Sequence, residues 1–303
     1  MGLTIKQIRN NTVRARHLMQ RSRSQGFAVG AFNVDNQETL IAVARAAQKL
    51  RSPVLVEVSD TEVKALGLEN IRSMVDDYRE EYGIEMYLNL DHSPTVEDCK
   101  RAIDAGFEFI HIDISQANHD ASLEEITEKT KAVVEYAKFT GALVEAEERY
   151  FMGSSNLHTE AIDYEEVKKY NTKPSEALDF VTSTGIDTVA VQIGNLHGLY
   201  PTPKELDLEL LQHIRDAVSC QISLHGGSGT PLHYFEDAAK IGVSKININS
   251  DMRYVFRKTL EKVLAENPDE YAIVKLMPQV YEAVQVVVEE KINAFGSAGK
   301  AVL

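Results

Sequence analysis

Three of the chain's histidines sit where short apolar runs end: His92 closes EMYLNLDH, His197 follows DTVAVQIG, and His225 follows QISL. Neutral imidazoles suit zinc, and a catalytic zinc keeps one position open for substrate. One such histidine alone would ordinarily be a satisfied buried side chain or a general acid–base group. Three at the ends of three runs favour a shared metal. Asp91, next to His92, is placed to move protons beside it. Ser93 and Thr95 offer caps for the helix that follows, which leaves Asp91 free. Asp113 in FIHIDIS and Glu147 in ALVEAEE could form a second carboxylate metal position or orient the ligand histidines, and a purely structural role for the pair is equally open. His111 has the parity of Asp113, points inward, and reads as core or support for the ligands.

Two turns add an anion site. HGGSGTP (225–231) and NINSD (247–251) each precede or open a helix. Backbone N–H groups at such turns, with the helix dipole, bind phosphate without needing a lysine.

The elements that would position these residues alternate along the chain. Short apolar runs at 27–33, 53–59, 85–92, 109–115, 142–148, 187–194, 221–227 and 244–250 read as strands buried on both faces. Amphipathic segments lie between them, at 38–50, 95–106 and 123–141 among others, the last with Val133, Val134 and Ala137 as its apolar stripe and Gly141 as its stop. Eight strands with intervening helices predict a (β/α)8 TIM barrel over 1–303 as one domain, in which active sites lie at the C-terminal strand ends. A doubly wound sheet is the alternative, but no strand is followed by GxGxxG or GxxxxGK[ST]. The polar segment at about 149–176 has no clear period and reads as a lid. A last helix and Gly-punctuated tail occupy about 279–303.

The formal net charge of −14 argues against nucleic acid and anionic membranes as partners. An anionic small substrate remains compatible, since a metal and backbone amides supply local positive potential. Two cysteines without CxxC spacing fit a reducing compartment. With no apolar h-region near the N-terminus and no membrane-spanning run, the expectation is a soluble, cytoplasmic protein.

LDH (90–92), IGNLHG (193–198), LHGGSG (224–229) and KININSD (245–251) together resemble the motifs of the class II, zinc-dependent fructose- and tagatose-bisphosphate aldolases. Order and spacing match as well, from GAFNVDNQETLIAVARAAQ (30–48) to FGSAGKA (295–301). The resemblance implies an aldehyde-lyase in which His92, His197 and His225 bind catalytic zinc and Asp91 transfers protons. It puts Gly198, Gly226, Gly227, Ser228, Asn247, Ile248, Asn249 and Ser250 around dihydroxyacetone phosphate. Asp113 and Glu147 match an alternative metal position, for a second divalent or a monovalent cation, and Asn33 and Ser59 match positions near substrate. The zinc would stabilise the enediolate of dihydroxyacetone phosphate, which attacks an aldehyde; the reverse reaction cleaves a ketose phosphate or bisphosphate. A phosphorylated sugar substrate and a homodimer or homotetramer follow from the same analogy.

The chain departs from that pattern at the lid. Family members continue VEAE with LG and a glycine-rich loop bearing an acidic pair thought to deliver the enolising carboxylate. Here Glu148 and Arg149 replace Leu-Gly, and Ser154 and Ser155 fall where the acidic pair would be. Glu160, Glu165 and Glu166 are the lid's alternative proton acceptors, and Arg149 is a candidate contact for an anionic acceptor. No basic residue for the distal phosphate of a bisphosphate is identifiable. A Schiff-base aldolase would need a lysine at a strand end, and a metal-dependent hydrolase would carry HxH on the first strand; neither is present. A different donor or acceptor, or a non-catalytic protein that binds metal and phosphate ligands, are the other readings.

Overall fold

The structure is a computed structural model that describes every residue except Met1, Met152 and Leu303. Eight parallel strands close a barrel: β1 (Val29–Asn33), β2 (Val54–Val58), β3 (Met86–Ser93), β4 (Phe109–Ile112), β5 (Leu143–Ala146), β7 (Thr188–Ala190), β9 (Gln221–Leu224) and β10 (Val243–Ile248). Their order around the barrel is β1-β10-β9-β7-β5-β4-β3-β2. Two further short strands, β6 (Gly153–Leu157) and β8 (His197–Leu199), form a separate parallel ribbon above the strand ends. The expected (β/α)8 barrel is the fold.

The strand sequences are nearly continuous apolar runs because both faces are covered. One face of each strand packs on the surrounding helices: Val54, Val56, Val58, Met86, Leu88, Leu90, Ile110, Ile112 and Val144 all belong to the large core between sheet and helices. The alternate residues point into the barrel. At its N-terminal end Val29, Ala31, Leu55, Tyr87, Phe109 and Leu143 form a second core with Ala15, Leu18 and Met19. Those last three lie on the helix Ile5–Gln25, which starts with a Thr4–Gln7 capping box. The polar, basic N-terminal segment is thus a plug across the barrel floor. Its apolar stripe is narrow enough to be masked by the charged residues around it.

Local details differ from the sequence-based expectations in length rather than kind. The sixth expected strand, 187–194, is regular only over Thr188–Ala190, because Asn195 takes over the backbone there: its side chain accepts from Ile193 N–H at 2.8 Å and donates to Val191 O and His225 O at 3.1 Å each. The helix expected to stop at Gly141 ends at Ala137, and Gly141 (φ +85°) instead ends the turn into β5. Thr95 caps its helix by accepting from Asp98 N–H, which leaves Asp91 free of that task. The 149–176 segment, of which Met152 lies outside the described residues, carries β6 and a short helix, Tyr164–Val167. Among the described residues no helix is long and apolar enough to cross a membrane.

Candidate active site

Asp91, the three run-end histidines and residues of both glycine and asparagine turns meet at the C-terminal end of the barrel. One cavity is lined by Asn33, Asp91, His92, His197, Gly198 and His225, together with Gly226, Ser228, Asn247, Asn249, Ser250 and the lid residue Ser155. Asp91 and His92 arrive on β3, whose pairing with β4 is broken between Leu90 and Ser93. His92 itself has φ +45°, a conformation costly for a side-chain-bearing residue. That strain, of a kind that collects at functional sites, turns the imidazole toward the barrel axis.

The imidazoles are oriented by carboxylates. His92 Nδ1 lies 2.6 Å from Asp113 Oδ2, and His225 Nε2 lies 2.6 Å from Glu145 Oε1. Each of these nitrogens therefore donates, which in the neutral ring leaves His92 Nε2 and His225 Nδ1 as lone-pair nitrogens. These two face one another at 2.9 Å. Two lone pairs aimed at one point, each backed by a carboxylate on the far nitrogen, is the arrangement of metal-ligating histidines. The His197 ring stands edge-on with its centroid 5.1 Å from that of His92. Asp91, His92, His111 and His225 bring potential donor atoms together, and so do His92, His111, Asp113 and Glu147. The donor set fits a divalent ion.

Charge in this cluster is strongly unbalanced by burial. Burial pushes His225 down to about 3 despite Glu145, and drives His197 well below the usual imidazole range. His92 is the exception: burial disfavours its charge, but Asp91 and Asp113 outweigh this and raise it to about 9. Asp91 is buried too, yet His92, His111 and His225 hold it well below the ordinary carboxylate range. Its two oxygens accept from Asn33 Nδ2 at 3.0 Å and Asn247 Nδ2 at 3.2 Å. Glu147 is pushed well up by burial and by Asp113, and its Oε2 has no hydrogen-bond partner. His111 is fully buried, accepts from His92 N–H at 3.3 Å, and leaves Nε2 without a partner 3.7 Å from Glu147.

Beneath the histidines lies a buried triad that sequence reasoning did not assemble. Lys245 Nζ bridges Glu57 at 2.9 Å and Glu145 at 2.8 Å, all three side chains being shut off from solvent. Asn89 donates to Glu57 and Ser223 to Glu145. Burial disfavours charge on both carboxylates, but Lys245 holds Glu145 well below the ordinary range, whereas Glu57 rises to about 8 through burial and the field of Asp91. The available signal was strand parity: Glu57 is two residues past the inward Leu55, and Lys245 two before Asn247.

The glycine loops adopt shapes that only glycine permits. Gly198 has φ +91°, and a Cβ there would stand 2.3 Å from Ser154 O; at Gly226 (φ +63°) it would stand 2.3 Å from Leu196 O. The helix Ser250–Glu266 opens at the cavity with Asn249 at its N-cap, and Asn249 makes no side-chain cap hydrogen bond. Ser228 Oγ caps it instead, accepting from Asp251 N–H at 3.1 Å, and Met252 and Arg253 N–H donate to Asn249 O, which leaves Ser250 N–H and the helix dipole for an anion. Gly227 N–H donates to Asn247 O at 3.2 Å, and Ile248 continues β10 beside it.

Other expected residues lie apart. Arg149 pairs with Glu176 and lies 3.7 Å from Glu148, outside the lining of the histidine cavity. Glu165 and Glu166 pair with Lys168 and Lys169, and Glu160 and Glu166 line a different cavity with Leu157 and His158. The lid stands on β8 instead: His158 stacks on Tyr200 with centroids 4.1 Å apart, and its N–H donates to Leu199 O. Ser59 lines a neighbouring recess with Asp60, Glu62, Gln116, Asn249 and Arg253, and Asp91 and His92 open onto it. Arg253 is held there by Asp35 and Glu62. The sequence did not single out Arg253, because nothing in one dimension ties 253 to 59 and 92.

A closed parallel barrel with its polar cluster, metal-capable histidines and anion-ready helix terminus at the C-terminal strand ends defines a barrel enzyme. Residues 13–300 match the family model "Fructose-bisphosphate aldolase class-II". The chain belongs to this class II aldolase family, as a divergent member, and is an aldolase. It is 35% identical over 279 residues to a fructose-bisphosphate aldolase of Geobacillus stearothermophilus, covering 91% of this chain and 93% of that one. It is 30% identical over 284 residues to a sulfofructosephosphate aldolase of Alkalicoccus urumqiensis, covering 94% and 96%. Among solved structures, the YdjI aldolase of Escherichia coli K12 superposes with a TM-score of 0.76 at 28% identity, over 95% of this chain and 98% of that one.

Proposed function

We propose that this aldolase joins dihydroxyacetone phosphate to an anionic aldehyde and cleaves the corresponding ketose phosphate, with zinc held by His92, His197 and His225. The observation that carries the reading is the convergence of His92 Nε2 and His225 Nδ1 at 2.9 Å, beside Asp91 and the N-terminus of the helix Ser250–Glu266. When bound, the zinc supplies a Lewis acid for the donor's carbonyl and for the negative charge of the enediolate. The chain's own groups do the rest. Gly198, Gly226, Ser228 and Ser250 hold the phosphate through backbone N–H groups and the helix dipole, while Gly227 and the Asn247–Asn249 stretch, tied together by Gly227 N–H to Asn247 O and Asn249 N–H to Ser228 Oγ, shape the loops around it. Asp91, kept ionised and aimed by Asn33 and Asn247, passes a proton to and from the acceptor's oxygen. Asp113 orients His92, and with Glu147 it offers a second cation position.

The recess of Ser59 and Arg253 takes the acceptor, and Arg253 binds its distal anionic group. Relatives named for fructose bisphosphate and for sulfofructose phosphate both favour an acceptor with a second anion, without choosing between phosphate and sulfonate. Arg149, paired to Glu176, anchors the 149–176 lid instead of meeting substrate, and the lid brings Ser155 to the cavity. Assembly as a homodimer or homotetramer would cover Ile273 and Val274, which are exposed on the C-terminal helix.

Deuterium incorporation into dihydroxyacetone phosphate in D2O tests the reading without naming the acceptor. Exchange that vanishes on chelation and returns with zinc is the expected result. A zinc-loaded protein that binds inorganic phosphate but exchanges no proton would instead make this chain a metal and phosphate-ligand binder, with Ser154 and Ser155 marking the lost carboxylate.

A further inference from the structure

Lys204 follows β8 and is 1% exposed. Its ammonium donates to three backbone carbonyls: Leu196 O at 2.6 Å, Gly226 O at 2.8 Å, and Ser228 O. Three acceptors use every proton an ammonium has, one more than a neutral amine could give. Burial lowers Lys204 to about 7, and Asp251 partly offsets that. The acceptors come from two separate loops: Leu196 precedes His197, while Gly226 and Ser228 follow His225. The loops touch so closely that a Cβ on Gly226 would meet Leu196 O at 2.3 Å. Ser228 Oγ carries the constraint onward by accepting from the N–H groups of Asn249 (3.3 Å) and Asp251 (3.1 Å) at the helix start. No lysine or arginine lines the histidine cavity itself.

We propose that Lys204 is a positioning residue for anion binding, whose buried ammonium gathers the carbonyls of Leu196, Gly226 and Ser228 and so sets the phosphate cradle. The proposal rests on the assignment of that cradle to the donor's phosphate. Carbonyl oxygens crowded at one point repel each other unless a cation or donors sit among them. With Lys204 in place, the His197 and His225 loops and the Ser250 helix terminus are locked in one arrangement. Its protons are all engaged, so it does not touch the ligand. It acts through loop placement and through a desolvated positive charge one layer of backbone behind the anion.

The test compares zinc-loaded wild type with Lys204→Ala and Lys204→Met. Binding of inorganic phosphate is followed by calorimetry, zinc content is measured, and proton exchange of dihydroxyacetone phosphate is split into kcat and KM. Removing the ammonium is expected to raise the phosphate Kd and the exchange KM by about 10- to 100-fold, with a smaller change in kcat. Added ammonium chloride should restore phosphate binding in Lys204→Ala, whose side-chain space is open. It should not do so in Lys204→Met, whose stem fills that space, and tetramethylammonium at equal ionic strength should restore neither. If Lys204→Ala does not fold, Lys204→Met still reads the loss of phosphate binding. A phosphate Kd within twofold of wild type in either folded variant overturns the proposal, as does equal rescue by tetramethylammonium. Wild type that neither binds phosphate nor exchanges would overturn the functional reading beneath it, whereas a competent wild type matched by its variants would overturn only the role of Lys204.

Discussion

At the N-terminal end of the barrel the inward side chains include Ala31, Leu55, Tyr87, Phe109 and Leu143. Two residues further along the same five strands they are Asn33, Glu57, Asn89, His111 and Glu145, all buried. The backbone is the same and so is the spacing; what changes is who meets the side chains. Below, Leu18 and Met19 of the N-terminal helix complete an apolar plug. Above, charges meet other charges and donors, so that Lys245 is shared by two carboxylates, while His92 and His225 each have one carboxylate at 2.6 Å. Burying an ion is tolerated only when it is paired. The floor is thus a source of stability, and the upper layers use some of that stability to keep polar groups aimed at one point.

This contrast can be broken at several levels. The largest effect on chemistry should come from Asp91→Asn, which keeps the shape but can no longer accept and return a proton: kcat for aldol cleavage should fall by ~10²–10⁴-fold with an unchanged melting temperature. A fall in melting temperature with little loss of kcat would place Asp91 among the structural groups. One layer down, Glu145→Gln should weaken zinc binding by ~10–100-fold, since it replaces the carboxylate behind the His225 ring with a neutral amide whose N–H₂ would face Lys245. Competition with a chelator of known affinity measures it, and an unchanged affinity would detach the Lys245 triad from the metal centre. The floor should answer in the opposite way. Leu18→Ala should cost ~2–5 kcal/mol of stability in denaturant unfolding and leave kcat per folded molecule intact. A kcat defect there would show that the plug also sets the site's geometry.

Much of this was legible in the chain. All eight barrel strands lie within the apolar runs or one residue beyond, because a parallel sheet covered on both faces must read that way. His92, His197, His225 and Asp91 were visible as polar residues at run ends, and the glycine turns as backbone approaches. The second carboxylate pair was visible only as an open choice, since Asp113 and Glu147 look the same in sequence whether they orient a ring or hold an ion. The N-terminal helix was hidden because its buried stripe is narrow and its remaining surface is charged. Ribbon strands β6 and β8 were hidden because neither has an apolar period; Ser154, Ser155 and Asn156 are exposed, and the two strands pair at Gly153–His197 and Leu157–Leu199.

What the sequence determined by itself was therefore the set of elements and the chemical types at their ends, since both follow from local periodicity and side-chain chemistry. The tertiary structure decided which of those residues share a point. His92 turns inward through a positive φ that no residue-type rule would assign to histidine. Lys204 reaches carbonyls up to 24 residues away, and Arg253 joins Ser59 and His92 across the barrel mouth. Such contacts depend on barrel closure and strand register, where residues distant in the chain become neighbours. Local sequence holds no record of that distance.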